Sequence, residues 1–209
     1  MKYALALLAD IANGIFAMLL AAHLTQTELL WWHLLLGIGF AMCPDLDALP
    51  ELIKRHKLAA SAAYAHDHRS GFHFPLLFLI VGAVAVYVAP FFGTLFLIAT
   101  MLHFVNDLYG TGWGIPVLWP LRNTRYKLLA RRANRMKSML AHDGDWNVLP
   151  DAERRLRLVA SWEEAELPLY LRRWGIEDWV DHYYLKLNWI SVTEYTLFVV
   201  AVLLLVVLW

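Results

Sequence analysis

The sequence predicts an all-α, polytopic membrane protein of about five spans, with a helical insertion on the cytoplasmic face. Three observations carry that prediction. Hydrophobic residues fill 60% of the 209 positions and mean hydropathy is +0.48, whereas ordinary globular chains are about 45–50% apolar. The apolar residues run in long blocks rather than in periodic stripes, as lipid-facing helices require. The eighteen Lys and Arg residues are confined to alternate segments between those blocks.

The first block, 3–22, follows a single lysine and is interrupted by Asp10 and Asn13. It lacks a small-residue cleavage site and is expected to be a retained span rather than a secretory signal. The second, 29–43, is the weakest candidate, but its "WWH" at 31–33 suits an interfacial aromatic belt. Blocks 75–90 and 93–109 follow, with Pro90 and Gly93 expected to turn the chain between them. The last block, 189–209, carries Glu194 near its start. Crossing about 30 Å of hydrocarbon takes about 20 helical residues, and several of these blocks fall short of that.

With the N-terminus inside, the inner segments 1–2, 44–74 and 110–188 hold one, four and thirteen basic residues, and the outer turns hold none. Positive charge collects on the cytoplasmic side, so the expected orientation is N-in, C-out in a bacterial or archaeal cytoplasmic membrane. The chain then divides into a four-span core at 1–121, a cytoplasmic-face segment at 122–188 and a C-terminal span at 189–209. Within the middle segment, "RNTRYKLLARRANRMKSML" is expected to be a basic helix facing either solvent or anionic headgroups. Asp151 is expected to cap a second helix, Ser161 and Glu164 to form the capping box of a third, and "HDGDWN" at 142–147 to be a turn. One cysteine, Cys43, excludes an internal disulfide framework and a thiolate zinc site. The balanced net charge and the acids Glu163, Glu164 and Glu166 argue against a nucleic-acid role.

Three polar clusters stand at the inner ends of spans: "CPDLD" at 43–47, "HDHRSGFH" at 66–73 and "HFVND" at 103–107. Ionisable groups at span ends are costly, and a shared cation gives three clusters one reason to be there. His103 and Asp107, four apart on a helix, share a face and can grip one ion. Pro44 favours an extended exit in which Asp45 and Asp47 point the same way. His68 and His73 can converge if the chain bends at Gly71, and Pro75 suits the first turn of the next helix. The candidate metal ligands are Asp45, Asp47, His68, His73, His103 and Asp107, with Asp10, His33 and His66 as additional candidates. Six ligands exceed one tetrahedral ion, so either two ions are held or some of the six support the others.

The same clusters resemble the YdjM-like family of bacterial and archaeal membrane-bound proteins taken to be metal-dependent hydrolases. The resemblance covers about the first 125 residues: "WWH" at 31–33 running into "PDLD" at 44–47, "HRSGFH" at 68–73, and "HFVND" followed by "GIPVLWPLR" at 114–122. It departs from the family where the second histidine lies in "FHF" rather than Thr-His-Ser, and where Asp10 stands in place of an early histidine. The resemblance implies a multi-span inner-membrane protein with a metal site at Asp45, Asp47, His68, Arg69, His73, His103 and Asp107.

The expected function is hydrolysis of a phosphoester in a lipid or lipid-linked substrate at the cytoplasmic interface. One or two divalent ions, zinc foremost with manganese or magnesium as alternatives, would lower the pKa of a bound water toward about 7. Asp45 or Asp47 is expected to bridge ions or accept the water's proton, Arg69 to clamp the phosphate, and Asp67 or His66 to orient a ligand, with Asp45, Arg69 and Asp67 the candidate catalytic residues. Arg122 and Arg125 would add an anionic funnel. The rival expectation is a non-catalytic metal-stabilised scaffold or a divalent-cation carrier.

Overall fold

The structure, a computed structural model, describes residues 2–56, 69, 71–134 and 144–209. A 3-10 turn at Lys2–Leu7 leads into α1 (Leu8–Thr25). The chain continues through α2 (Trp31–Ala41), a second 3-10 turn at Pro44–Ala48 and α3 (Leu49–Arg55). A helical hairpin follows, α4 (Pro75–Val88) and α5 (Pro90–Tyr109), with Pro75 and Pro90 each in a first turn. The segment after α5 contains β1 (Thr124–Ala130), the short helices α6 (Gly144–Val148) and α7 (Asp151–Arg154), β2 (Arg157–Glu163), α8 (Leu167–Trp174) and α9 (Trp179–Tyr183). The last helix, α10, spans Trp189–Leu208.

Among the described residues, three helices are long and apolar enough to cross a membrane: Tyr3–Thr25, Pro90–Tyr109 and Trp189–Leu208. The other two expected spans, α2 and α4, are shorter apolar helices of 11 and 14 residues. At 1.5 Å per residue they reach about 16 and 21 Å, less than the roughly 30 Å of a bilayer core. α1 is the hub and packs on α2, α5 and α10. Its contact with α2 is backbone on backbone: a Cβ on Gly14 would meet Ile38 N at 2.5 Å, and one on Gly37 would meet Gly14 O at 2.6 Å. Small residues let apolar helices approach this closely. Gly93 has a similar duty. It lies inside α5, where a Cβ would collide with the backbone of Ala85 and Val86, so it packs the hairpin. Ala89 alone forms the turn between the two helices.

The middle segment differs from the expected helices. β1 and β2 pair antiparallel, with Arg125 opposite Trp162 and Lys127 opposite Ala160. The basic stretch misleads because its cations point inward along the strand: Arg125 and Lys127 are buried. Arg125 Nε donates to Glu164 Oε2 at 2.7 Å. Lys127 Nζ donates to Gly110 O at 2.5 Å and to Thr111 O at 3.2 Å, placing a cation where α5 ends. Arg125 therefore belongs to no anionic funnel, while Arg122 is exposed. Ser161 lies inside β2, so the expected capping box is absent and α8 begins at Leu167 behind Glu166. The N-cap of α7 is Pro150, with Asp151 the first helical residue. The described part of "HDGDWN" forms α6 rather than a turn. Around this sheet, Trp113, Trp162, Leu167, Leu171 and Trp174 form a core that docks on the end of α5.

Candidate metal centre and its cavity

Five chain segments deliver polar groups to one end of the bundle: the start of α1, the exit of α2, the entry to α4, the end of α5 and the start of α10. His103 and Asp107 come from α5, one turn apart, with Nε2 and Oδ2 separated by 3.4 Å. His73 stands two residues before α4 and is fully buried. Its Nε2 lies 3.5 Å from His103 Nε2, 3.3 Å from Asp45 Oδ1 and 3.2 Å from Asp107 Oδ2. Asp45 Oδ1 is 3.7 Å from His103 Nε2. Ligand atoms about 2.0–2.1 Å from a tetrahedral ion lie about 3.3 Å from one another, so these separations are of the right size for a shared cation. Asp45, His73 and His103 form a group able to hold a metal ion, and Asp107 Oδ2 borders it without completing a hydrogen bond of standard geometry.

The far side of each imidazole gives the stronger indication. His103 Nδ1 lies 2.7 Å from Asp10 Oδ1, and His73 Nδ1 lies 3.1 Å from Asp47 Oδ2. A carboxylate only accepts, so Nδ1 carries a proton in each ring, and in the neutral imidazole the Nε2 lone pair faces the centre. Carboxylates behind metal-binding histidines fix the tautomer and orientation in this way. Asp47 also accepts from the N–H groups of Gly71 and Phe72, at 3.1 and 3.0 Å, and so fastens the entry of α4 to the exit of α2.

This arrangement revises the role of Asp47. Residues 44–48 form a 3-10 turn rather than an extended exit, in which side chains two apart point about 120° away from each other. Asp45 thus reaches the centre while Asp47 supports His73. Asp10 takes the corresponding supporting place behind His103. His33 is elsewhere: its Nδ1 accepts from Leu30 N at 3.2 Å at the start of α2, and its ring packs on Trp32 and Phe91. His66, Asp67 and His68 lie outside the described residues.

Arg69 is buried and locked in place. It holds Asp107 Oδ1 through NH2 at 2.5 Å and donates from NH1 to Thr111 O at 2.7 Å. Gly112, at φ +81°, leaves room for that guanidinium where a Cβ would strike NH1. Burial alone would lower the pKa of His73, but the charge of Asp107 and the hydrogen bonds from Asp107, Asp45 and Asp47 outweigh it and bring it to about 10.

The centre opens into a cavity of about 540 Å³. Asp10, Asp45, Arg69, His103 and Asp107 line one part of it, and Leu7, Leu49, Leu52, Trp174 and Trp179 give it apolar walls. Asp45 keeps 35% of its side chain exposed, against 7% for Asp107, so access to the centre is past Asp45. Glu194 and the segment 174–184 also line this cavity. Sequence reasoning assigned them no role; the one signal was a lone acid within an apolar span, where an ionisable group has to be accounted for.

No curated protein and no solved structure matches the chain. The family model described as YdjM inner membrane protein matches residues 7–162, which include every described member of the centre. The chain belongs to the YdjM inner membrane protein family.

Proposed function

We propose that the protein is a membrane-embedded, metal-dependent hydrolase acting on a phosphoester in a lipid or lipid-linked substrate at the cytoplasmic face. The observation that carries this reading is the pair of buried histidines with Nε2 atoms converging 3.5 Å apart while Asp10 and Asp47 hold their Nδ1 atoms. Asp45, His73, His103 and Asp107 would hold the ion. Two imidazoles with carboxylates suit zinc, and manganese as the alternative, better than the all-oxygen surroundings of magnesium. The ion would supply a water acidic enough to be nucleophilic near neutral pH and polarise the phosphoryl oxygen.

The protein's own groups supply the rest. Asp45 is the centre's exposed carboxylate and is placed to take the proton from the attacking water and return it to the leaving alcohol. Arg69 keeps Asp107 in position and, on the cavity wall, offers positive charge to phosphate oxygens. The apolar wall of Leu7, Leu49 and Leu52 accommodates an acyl chain. A structural site would be closed by protein ligands; access past Asp45 favours catalysis over a scaffold. The distribution of Lys and Arg supports a cytoplasmic position for this end of the bundle.

The test is metal content and activity together. The purified protein should bind about one divalent ion and cleave at least one member of a panel of phospholipids and soluble phosphoesters. His103→Ala and Asp107→Ala should each lose both properties. Full metal content in both variants, or a metal-loaded wild type inert on the whole panel, would count against the proposal.

A further inference from the structure

We propose that a second part of the same cavity is a binding site for an ammonium group, built from Glu194 together with Trp179, Tyr184 and Tyr3. The inference rests on reading the cavity as the substrate site and specifies the substrate: an amphiphile with an ammonium next to its phosphoester, as in ethanolamine- and choline-type phospholipids.

Glu194 is 0% exposed and lines the cavity. Neither of its carboxylate oxygens completes a hydrogen bond of standard geometry among the described residues, although the Tyr184 hydroxyl is close enough to interact with it. A buried carboxylate without full hydrogen bonding is costly and calls for a cation or a donor. Arg69 acts on Glu194 only through its charge, while its NH1 and NH2 groups hold Thr111 O and Asp107. Among the described residues the lining also includes Asp10, Asp45, Glu51 and Asp107, with Arg69 its one Lys or Arg. A divalent ion and Arg69 together bring three positive charges to a lining with five carboxylates. A ligand that brought only negative charge would enter a site already acidic, whereas a phosphate joined to an ammonium brings its own compensation.

The aromatic residues give the second, independent indication. Tyr3 and Trp179 have ring centroids 6.5 Å apart, and Trp179 and Tyr184 5.8 Å apart. All three line the cavity, and the series ends at Tyr184 beside Glu194. Aromatic faces next to a carboxylate are the combination that recognises alkylammonium ions. Tyr3, Trp179, Tyr184 and Glu194 all lie outside the residues matched by the family model.

The test uses the zinc-loaded full chain in nanodiscs of equal parts dioleoyl phosphatidylethanolamine and dioleoyl phosphatidylglycerol. Native mass spectrometry counts the lipids retained on release, and hydrolysis of each lipid is measured alongside. Wild type should retain the ethanolamine lipid with about tenfold preference, Glu194→Gln with almost none, and Trp179→Leu with about a threefold loss. Equal retention of both lipids by wild type, or a preference untouched in Glu194→Gln, overturns the site. Should Glu194→Gln not fold, an unchanged preference in Trp179→Leu overturns it instead. Selective retention without hydrolysis keeps the ammonium site and removes the hydrolase reading. Hydrolysis of both lipids with no preference does the reverse.

Discussion

Two regions of this molecule bury charge, and they complete it differently. Around the two-stranded sheet, the buried Arg125 and Lys127 have partners at hand: Glu164 receives Arg125, and the carbonyls of Gly110 and Thr111 receive Lys127. At the end of the helical bundle, Asp107 Oδ2 and both oxygens of Glu194 lack a standard hydrogen bond among the described residues. Buried polar groups are ordinarily satisfied, so a completed network is explained by the fold it holds. An incomplete one is explained by something the fold receives. Substitutions in the two regions should therefore separate, with metal binding responding in one and stability in the other.

The largest effect should come from Asp107→Ala, which removes a ligand and leaves Arg69 without its carboxylate. Metal affinity should fall at least about 100-fold, read as metal retained after dialysis against a graded chelator series. If affinity were unchanged while the protein lost stability, Asp107 would belong with the structural ion pairs. Asp10→Asn and Asp47→Asn test the supporting carboxylates. Each should weaken metal binding by about 10- to 100-fold without abolishing it, because the amide no longer holds the imidazole proton as strongly. Measured by competition with a fluorescent zinc chelator, a loss as complete as that in Asp107→Ala would turn either acid into a direct ligand.

Across the comparison, Glu164→Leu should leave metal affinity unchanged and loosen the sheet. Arg125 is buried and would lose its anion, but Glu164 itself is half exposed, so water and salt already share the pair. A cost of about 1–2 kcal/mol is expected. Limited proteolysis should show it as faster cleavage within 113–174, at full metal content.

How far the sequence revealed all this depended on whether a residue's role was local. The spacing of His103 and Asp107 is a property of one helix, and it led directly to a shared ligand face. The five apolar blocks appear as helices for the same reason, since each forms from its own composition. Asp45 and Asp47 differ from each other only through the 3-10 turn that follows Pro44, and residue spacing does not fix that turn. Asp10 and Glu194 acquire their roles from partners 93 residues away and from a cavity assembled by remote segments. The strand at 124–130 was hidden because alternating basic residues normally mark a wet face, whereas here the buried face is the basic one.

The smallest effect belongs to the edge of the completed network and fixes its lower limit. Glu166 accepts from Arg132 NH2 at 2.9 Å and, through its other oxygen, from Glu163 N at 3.0 Å. The backbone hydrogen bond at Glu163 lowers its pKa first, burial opposes that, and Arg132 lowers it further, for a net downward direction. A carboxyl with a depressed folded-state pKa stabilises above its ordinary value near 4.5 and loses that contribution as pH falls through the lower one. Glu166 is 42% exposed, so solvent screens most of the pair and about 0.5 kcal/mol or less remains. Glu166→Gln should accordingly unfold within a degree or two of wild type at pH 7, and the two should converge at pH 3. A wide gap at pH 7, or one that persisted in acid, would show that the ion pairs of the sheet unit carry more than their exposure permits.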